Sequence, residues 1–392
     1  MKNDTVTGVI KENIYDSFKC IADKCSMTCC KGWSIRVEQD DFNKWKANEE
    51  TNYLCQQVTY GRQDDENVYH MKVDNCKTCV CLDENGLCEI VKKHGDYALP
   101  KTCAEFPRKK NKIAVLSQNE TESQIFIEEY SVSGACPAAL QLIWALQNNS
   151  IVDIPEKYDG DKEYLMEYKI RNKIINLLSY SKISLIDRIM LCSAFLHECL
   201  ECEWEDDVYD CIEVYSDESN LYDTINYYEK EQYNASEAMM ELLQTFYDVT
   251  QYYKEEDMYR PYLENISSIV ERIDEDTDLS DMIKEWNDYK KDYSKYDEFM
   301  TNIMVAEVFS DCISDDLEYL IECFQSIVME YIMTRLSLFL KGNKNYDKEE
   351  LINYMSLYIR MIGHNVDGMS EYWEENFEDP VLDLEYLYIL LH

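Results

Sequence analysis

Eleven of the seventeen cysteines in this 392-residue chain fall before Pro137, most of them in two tight runs. The first is Cys20-Ile-Ala-Asp-Lys-Cys25-Ser-Met-Thr-Cys29-Cys30-Lys-Gly32-Trp33. The second is Cys76-Lys-Thr-Cys79-Val-Cys81-Leu-Asp-Glu-Asn-Gly86-Leu-Cys88, followed by Lys101-Thr-Cys103-Ala-Glu-Phe-Pro107-Arg108 and later by Cys136. Thiols this crowded converge only if the backbone turns back tightly, so this part should be short elements joined by loops. The first twenty residues scatter charges and offer no apolar run for a signal sequence, which predicts a cytoplasmic protein. In a reducing compartment thiols stay free or bind metal rather than pair as structural disulfides.

The chain is long enough for about two domains at roughly 150 residues each. Six of the ten glycines also precede Pro137, after which long helical patterns take over. The expected architecture is mainly α: a small cysteine-rich α+β metal-binding domain at residues 1–136, packed on a large, irregular and acidic all-helical domain at 137–392. In the first part Val37–Glu49 and Leu87–His94 read as helices, and Ile113–Leu116 with Ile125–Tyr130 as a strand pair. Pro137 suits a first helical turn and opens the second part. Further helices are expected over Lys162–Tyr180, Leu185–Glu203, Ser219–Val249, Glu256–Ile273, Leu279–Asp292, Asp297–Cys312, Asp315–Leu340 and Lys348–Ile362.

Net charge is −40. Residues 1–136 carry 18 Lys/Arg against 22 Asp/Glu and residues 137–392 carry 20 against 56, so the acidity sits in the helical part. Nucleic acid is excluded as a partner, because binding it requires Lys and Arg to neutralise phosphates. An acidic cleft could draw a lysine-bearing substrate, although solvated helix faces account for the charge equally simply. The longest uncharged stretch, Tyr130–Val152, is interrupted by Pro137 and Gln141, whereas a membrane span needs about 20 apolar residues; it reads as a buried helix. Peripheral membrane association and homo-oligomerisation are left open.

Soft thiolates with little histidine nearby select zinc, copper(I) or iron–sulfur clusters. His70 and His94 are lone imidazoles, read as satisfied surface or core groups. Zinc ribbons usually bring two C-x2-C knuckles together, and Cys76-x2-Cys79 is the one pair here with that spacing, which favours iron–sulfur modestly. The C-x3-C-x2-C pattern of radical S-adenosylmethionine enzymes begins at Cys25-x3-Cys29 but meets Gly32 where its third cysteine belongs. Cys192, Cys199, Cys202, Cys211, Cys312 and Cys323, scattered on expected helices, read as core thiols.

The segments Phe18–Cys20, Cys25–Trp33, Cys79–Cys88, His94-Gly95, Leu99–Arg108 and Glu129–Pro137 resemble the flagellin lysine-N-methylase family, itself similar to a wider class of zinc- or iron-chelating cysteine domains. The helical part is similar to that family only loosely, around Tyr354–Asn365, where Gly363 replaces the acidic residue expected before His364-Asn365. The resemblance implies eight candidate ligands, Cys20, Cys25, Cys29, Cys30, Cys79, Cys88, Cys103 and Cys136, for one metal site or two. It also implies S-adenosylmethionine-dependent methyl transfer to lysines of flagellin, assisted by a [4Fe–4S] cluster.

No G-x-G occurs anywhere, so the glycine loop of an ordinary Rossmann methyltransferase is missing. Trp33 is a candidate cofactor-binding residue because an aromatic face stabilises a sulfonium. Arg108 is another, because its guanidinium can hold a carboxylate in a fork. Each has a structural alternative, Trp33 as a core ring and Arg108 as a partner of a neighbouring acid. Lysine amines are almost fully protonated at neutral pH, so direct transfer needs a base; a Tyr or Glu near the cluster could serve, and the sequence names none. The rivals are a non-enzymatic zinc- or iron-binding interaction module with a structural metal, and an electron-transfer protein.

Overall fold

The computed structural model describes residues 5–63, 66–117, 125–146, 150–155, 162–230, 233–274, 276–342 and 347–392. It is mainly helical, 61% helix and 10% strand, with the strands concentrated toward the N-terminus. Among the described residues the strands are β1 (Thr5–Lys11), β2 (Arg36–Val37), β3 (Val58–Gln63), β4 (Glu66–Met71), β5 (Arg108–Ser117), β6 (Ile125–Val132) and β7 (Lys162–Tyr164). They form a four-stranded sheet in the order β1-β6-β5-β7 and a three-stranded one in the order β2-β4-β3. β1 runs parallel to β6; every other pairing is antiparallel.

The expected strand pair is β5 and β6, with Ile113 opposite Ile127. Side chains alternate along a strand, so Ile127, Glu129 and Ser131 share the buried face of β6. A carboxylate in that position needs a partner. Arg171 supplies it with two 2.7 Å hydrogen bonds to Glu129, both side chains being essentially inaccessible. This ion pair ties the sheet to the first long helix.

Helices α1 (Gln39–Ala47), α2 (Glu89–His94) and α3 (Lys101–Glu105) lie in the cysteine-rich part, where Trp45, Leu54, Met71 and Ile90 form a small separate core with Cys79 and Cys81. The main core takes Ile10, Ile14, Phe18, Ile113 and Ile127 from the early chain together with the later helices. α4 (Pro137–Ala145) confirms the helix opening at Pro137 and buries the apolar centre of the uncharged stretch, whose start, Tyr130–Val132, is instead the end of β6; residues 147–149 lie outside the described residues. No described helix is long and apolar enough to cross a membrane.

Next come α5 (Met166–Leu178), α6 (Leu185–Leu200), α7 (Glu205–Val214), α8 (Glu218–Tyr228), α9 (Ala235–Gln251), α10 (Arg260–Val270) and α11 (Ser280–Tyr293). The last five are α12 (Asp297–Asp311), α13 (Leu317–Leu340), α14 (Lys348–Tyr358), α15 (Val366–Phe377) and α16 (Leu384–Leu391). α13 is buried on all sides for most of its length, as its continuous apolar run requires. A five-residue π-helical turn, Ile359–Gly363, follows α14 and packs on α13.

Several expected boundaries move. The single helix over Ser219–Val249 is two, because the Asn234 side chain accepts the Ser236 amide at 3.0 Å and starts α9 as its N-cap. The start of Lys162–Tyr180 is a strand, Lys162–Tyr164, recruited by β5. Glu256–Ile273 shortens to α10, with Pro261 in its first turn. α7, α15, α16, β1 and the β2-β4-β3 sheet were not expected from the sequence.

Candidate functional site

The two cysteine runs meet through backbone pairing: Cys79 N–H donates to Cys30 O at 2.8 Å, Gly32 N–H to Lys77 O at 3.1 Å, and Lys31 bridges Thr78. Leu82 bridges Cys88, whose residue caps α2, and Cys103 comes in on α3. The charges of Cys30, Cys79 and Cys88 all act on Cys103, so these four thiols face one neighbourhood. Cys81, absent from the eight candidates, joins it by hydrogen bonding to Cys79. The signal was the Cys79-x-Cys81 spacing.

Cys25 and Cys136 form a second neighbourhood beside Arg360, and Cys25 also feels Cys20, which is exposed. Burial pushes Cys136 up to about 11. Cys29 and Cys30 share a hydrogen bond that holds the proton on Cys29 and lowers Cys30 to about 7. Cys55 and Cys76 lie apart, the first pointing at Phe42 O and the second at the surface near Asp257. His94 contacts the Tyr53 hydroxyl.

Among the described residues, no three Cys, His, Asp or Glu side chains surround a common point as they stand. In kind the donors fit a thiophilic centre: Cys30, Cys79, Cys81, Cys88 and Cys103 lie in one neighbourhood without an imidazole among them, and Cys30 is poised toward the thiolate that binds metal.

Where the cysteine loop meets the helices, Trp33 is the hub. Its indole N–H donates to Cys29 O at 2.7 Å, and its ring lies 5.0 Å from Phe106 and 5.1 Å from His364. The Arg360 guanidinium sits 4.9 Å from the Trp33 ring centre and donates to Met27 O, Thr28 O and Ala135 O. Arg360 and His364 belong to the π-helical turn and its end, inside the Tyr354–Asn365 segment. Arg108 goes elsewhere, donating to Phe18 O at 2.9 Å and covering the Phe18 ring. Sequence reading passed over Arg360, which looks like any arginine on a helix.

A second feature adjoins this junction. Lys109 on β5 pairs with Asp311 at 2.5 Å, and their side chains are 28% and 35% exposed although the chain surrounds them closely. His364, acted on by both charges, is likewise hemmed in yet accessible. Beside the Lys109–Asp311 pair Glu307 is buried and accepts the Gly134 amide at 2.9 Å. Burial first, and then the neighbouring Asp311 charge, push its carboxyl up to about 8. Glu330 is 0% exposed, and the Gly363 backbone faces its carboxyl. Burial, then the Glu307 and Asp311 charges, raise it well above the usual carboxylate range. Asp311 stays low despite burial because the Lys109 ammonium holds it ionised.

A thiol-rich loop held by Arg360 against a helical bundle defines the class: a mainly helical protein with a cysteine-rich N-terminal part. Residues 171–390 match the FliB lysine N-methylase C-terminal domain, more than half of the chain, and the chain belongs to that family. The match covers the helical part, where the sequence had suggested only a loose likeness. Curated relatives include the flagellar biosynthetic protein FliU of Salmonella muenchen, 30% identical over 119 residues, which are 28% of this chain and 64% of that protein. The lysine-N-methylase of Salmonella typhimurium (strain LT2) is 26% identical over 190 residues, 47% of this chain and 43% of the relative; that of Salmonella choleraesuis (strain SC-B67) gives the same values. The chain thus spans roughly half the length of the curated relatives it matches. No solved structure matches it.

Proposed function

We propose that this protein is a cytosolic S-adenosylmethionine-dependent lysine N-methyltransferase that acts on flagellin, with a [4Fe–4S] cluster held by the cysteine-rich part. The observation that carries the reading is the contact of Trp33 with His364 and Arg360, which sets the thiol loop against helices of the family-matched segment.

Cys30, Cys79, Cys88 and Cys103, with Cys81 in reserve, are the residues that would hold the cluster. When bound, it would offer an iron to the amino and carboxylate groups of the methyl donor. The chain's own residues do the rest. Trp33 and His364 present ring surface where the loop meets the helices, suited to a sulfonium. Arg360 locks the loop carrying Met27 and Thr28 to the π-helical turn, fixing the distance between thiols and helices. The buried carboxyls can take the proton that a lysine ammonium must lose before its lone pair attacks the methyl carbon.

The test is anaerobically purified protein incubated with flagellin and methyl-labelled S-adenosylmethionine, with methyl-lysine read by mass spectrometry and iron, zinc and acid-labile sulfide measured in the same sample. Labelled lysine with about four irons and four sulfides is the expected result. Stoichiometric zinc without sulfide or label would favour the second reading, a structural metal module. That reading draws on the burial of Cys79 and Cys81 in the small separate core.

A further inference from the structure

We propose that Cys202 and Cys211 are a reversible oxidation site, at which a peroxide joins the two thiols as a disulfide and a dithiol reductant reopens it; the inference stands apart from the methyltransferase reading.

The positions of the two sulfurs carry it. Cys202 Sγ lies 3.6 Å from Cys211 Sγ. A disulfide bond is about 2.05 Å long, so a closure of roughly 1.6 Å separates this contact from the bond. One side of the pair is held and the other is free to move. Cys211 belongs to α7, which the Tyr215 hydroxyl ties to Glu198 of α6 at 2.8 Å and which begins where Asp207 accepts the Trp204 amide at 3.2 Å. Cys202 lies past the end of α6, in the turn before α7. A displacement of that size is within what side-chain rotation at a turn residue provides.

Accessibility suits an oxidant. The sequence placed both cysteines among core thiols, yet each is half-buried, whereas Cys199, one helical turn earlier, is 2% exposed. Oxidation-sensing cysteines are reachable from solvent and sit beside a second cysteine that completes the disulfide. In a reducing compartment, disulfides of this transient kind are the ones that form. Cys312 and Cys323 are also neighbours, but both are buried and offer an oxidant no approach.

The order of attack follows from the contact. Burial, and then the hydrogen bond to Cys202, push Cys211 up to about 12. Cys211 therefore keeps its proton and can donate it to the neighbouring sulfur, which leaves Cys202 to attack first. The Cys202 sulfur breaks the O–O bond of the peroxide, taking one oxygen as a sulfenic hydroxyl while the other leaves with the thiol proton as water. The Cys211 sulfur then attacks the sulfenic sulfur, the S–O bond breaks, and the Cys211 proton leaves with the hydroxyl as a second water. Two electrons have passed from the thiols to the peroxide. A dithiol reductant returns them by exchange through a mixed disulfide and is itself left as a disulfide.

The experiment uses the full chain loaded with its metal, exposed to hydrogen peroxide in small molar excess and then alkylated. Cleavage after glutamate separates the thiols: Cys202 lies between Glu201 and Glu203, Cys211 follows Glu205, and Cys199 falls between Glu198 and Glu201. The expected product is a Cys202–Cys211 peptide pair, lighter by about 2 Da than the two thiol peptides together and lost on treatment with dithiothreitol. Cys199→Ala should give the same pair. Cys211→Ser should stop at the sulfenic acid on Cys202, captured by dimedone.

Recovery of wild-type Cys202 and Cys211 as alkylated thiols, at a dose that oxidises the N-terminal cysteines, would overturn the proposal. A Cys199–Cys202 pair in place of the expected one would overturn it as well. Neither result bears on the methyltransferase reading, which stands or falls on labelled lysine.

Discussion

The guanidinium of Arg360 lies 4.9 Å from the ring centre of Trp33 while its N–H groups reach the carbonyls of Met27, Thr28 and Ala135. One side chain from the family-matched helices thus holds two separate stretches of the cysteine-rich part. Hydrogen bonds from a charged donor are worth about 1.5–3 kcal/mol each, and truncation leaves the carbonyls unpaired. Arg360→Ala should destabilise by about 3 kcal/mol or more, measured by urea unfolding. Arg360→Lys should recover only part, because an ammonium cannot fork to several carbonyls at once.

Gly363 gives a prediction of a different kind. Where an acidic side chain was expected from the family resemblance, Glu330 delivers a carboxylate from α13 into the same space. Gly363→Ala should cost about 1–3 kcal/mol, since the enclosed Glu330 has nowhere to swing. Urea unfolding measures the cost, which should shrink when Gly363→Ala is combined with Glu330→Ala, where the crowding carboxyl is gone.

The raised carboxyl of Glu307 makes stability depend on pH. In the unfolded chain it ionises around its ordinary value of 4.5, whereas in the fold it keeps its proton up to about 8. The folded state therefore binds more protons between those values, and stability falls as pH rises through that window, by at most about 1.4 kcal/mol per pH unit. Glu307→Gln should flatten this slope relative to wild type when melting is followed at pH 5 and pH 8.

Metal loading should separate the thiols. Cys29→Ala with Cys30→Ala should abolish loading and lower the melting temperature, since metal-binding energy in such domains is largely folding energy. Cys81→Ala should weaken it. Cys199→Ala with Cys202→Ala should leave iron, zinc and sulfide contents unchanged. Cys199 is buried, and Cys202, only half-buried, lies 3.6 Å from Cys211, far along the chain from the N-terminal runs.

The buried Glu129–Arg171 pair should behave as an uncompensated charge when halved. Arg171→Ala is expected to lose about 3–5 kcal/mol, while Arg171→Met with Glu129→Leu should lie close to wild type, both by urea unfolding.

The sequence by itself determined what short-range chemistry controls. Crowded thiols predicted a loop-rich centre, period-two alternation found β5 and β6, and apolar periodicity located most of the long helices, including the all-round buried run of α13. Those signals are local, so they survive without knowledge of partners. Breaks carried by single caps, such as Asn234, were lost because one hydrogen bond outweighs a continuous helical pattern.

Tertiary structure alone decided the site. β1 pairs with β6 across more than a hundred residues, which no local pattern encodes. Arg108 was the visible arginine beside the cysteines, yet it caps the Phe18 segment, while Arg360, far along the chain, reaches Trp33. Glu307 and Glu330 looked like two acids among 78. Only burial, behind two glycines that leave room for their carboxyls, raises both well above the ordinary carboxylate range, because a carboxylate's proton affinity is set by its surroundings rather than by its sequence neighbours.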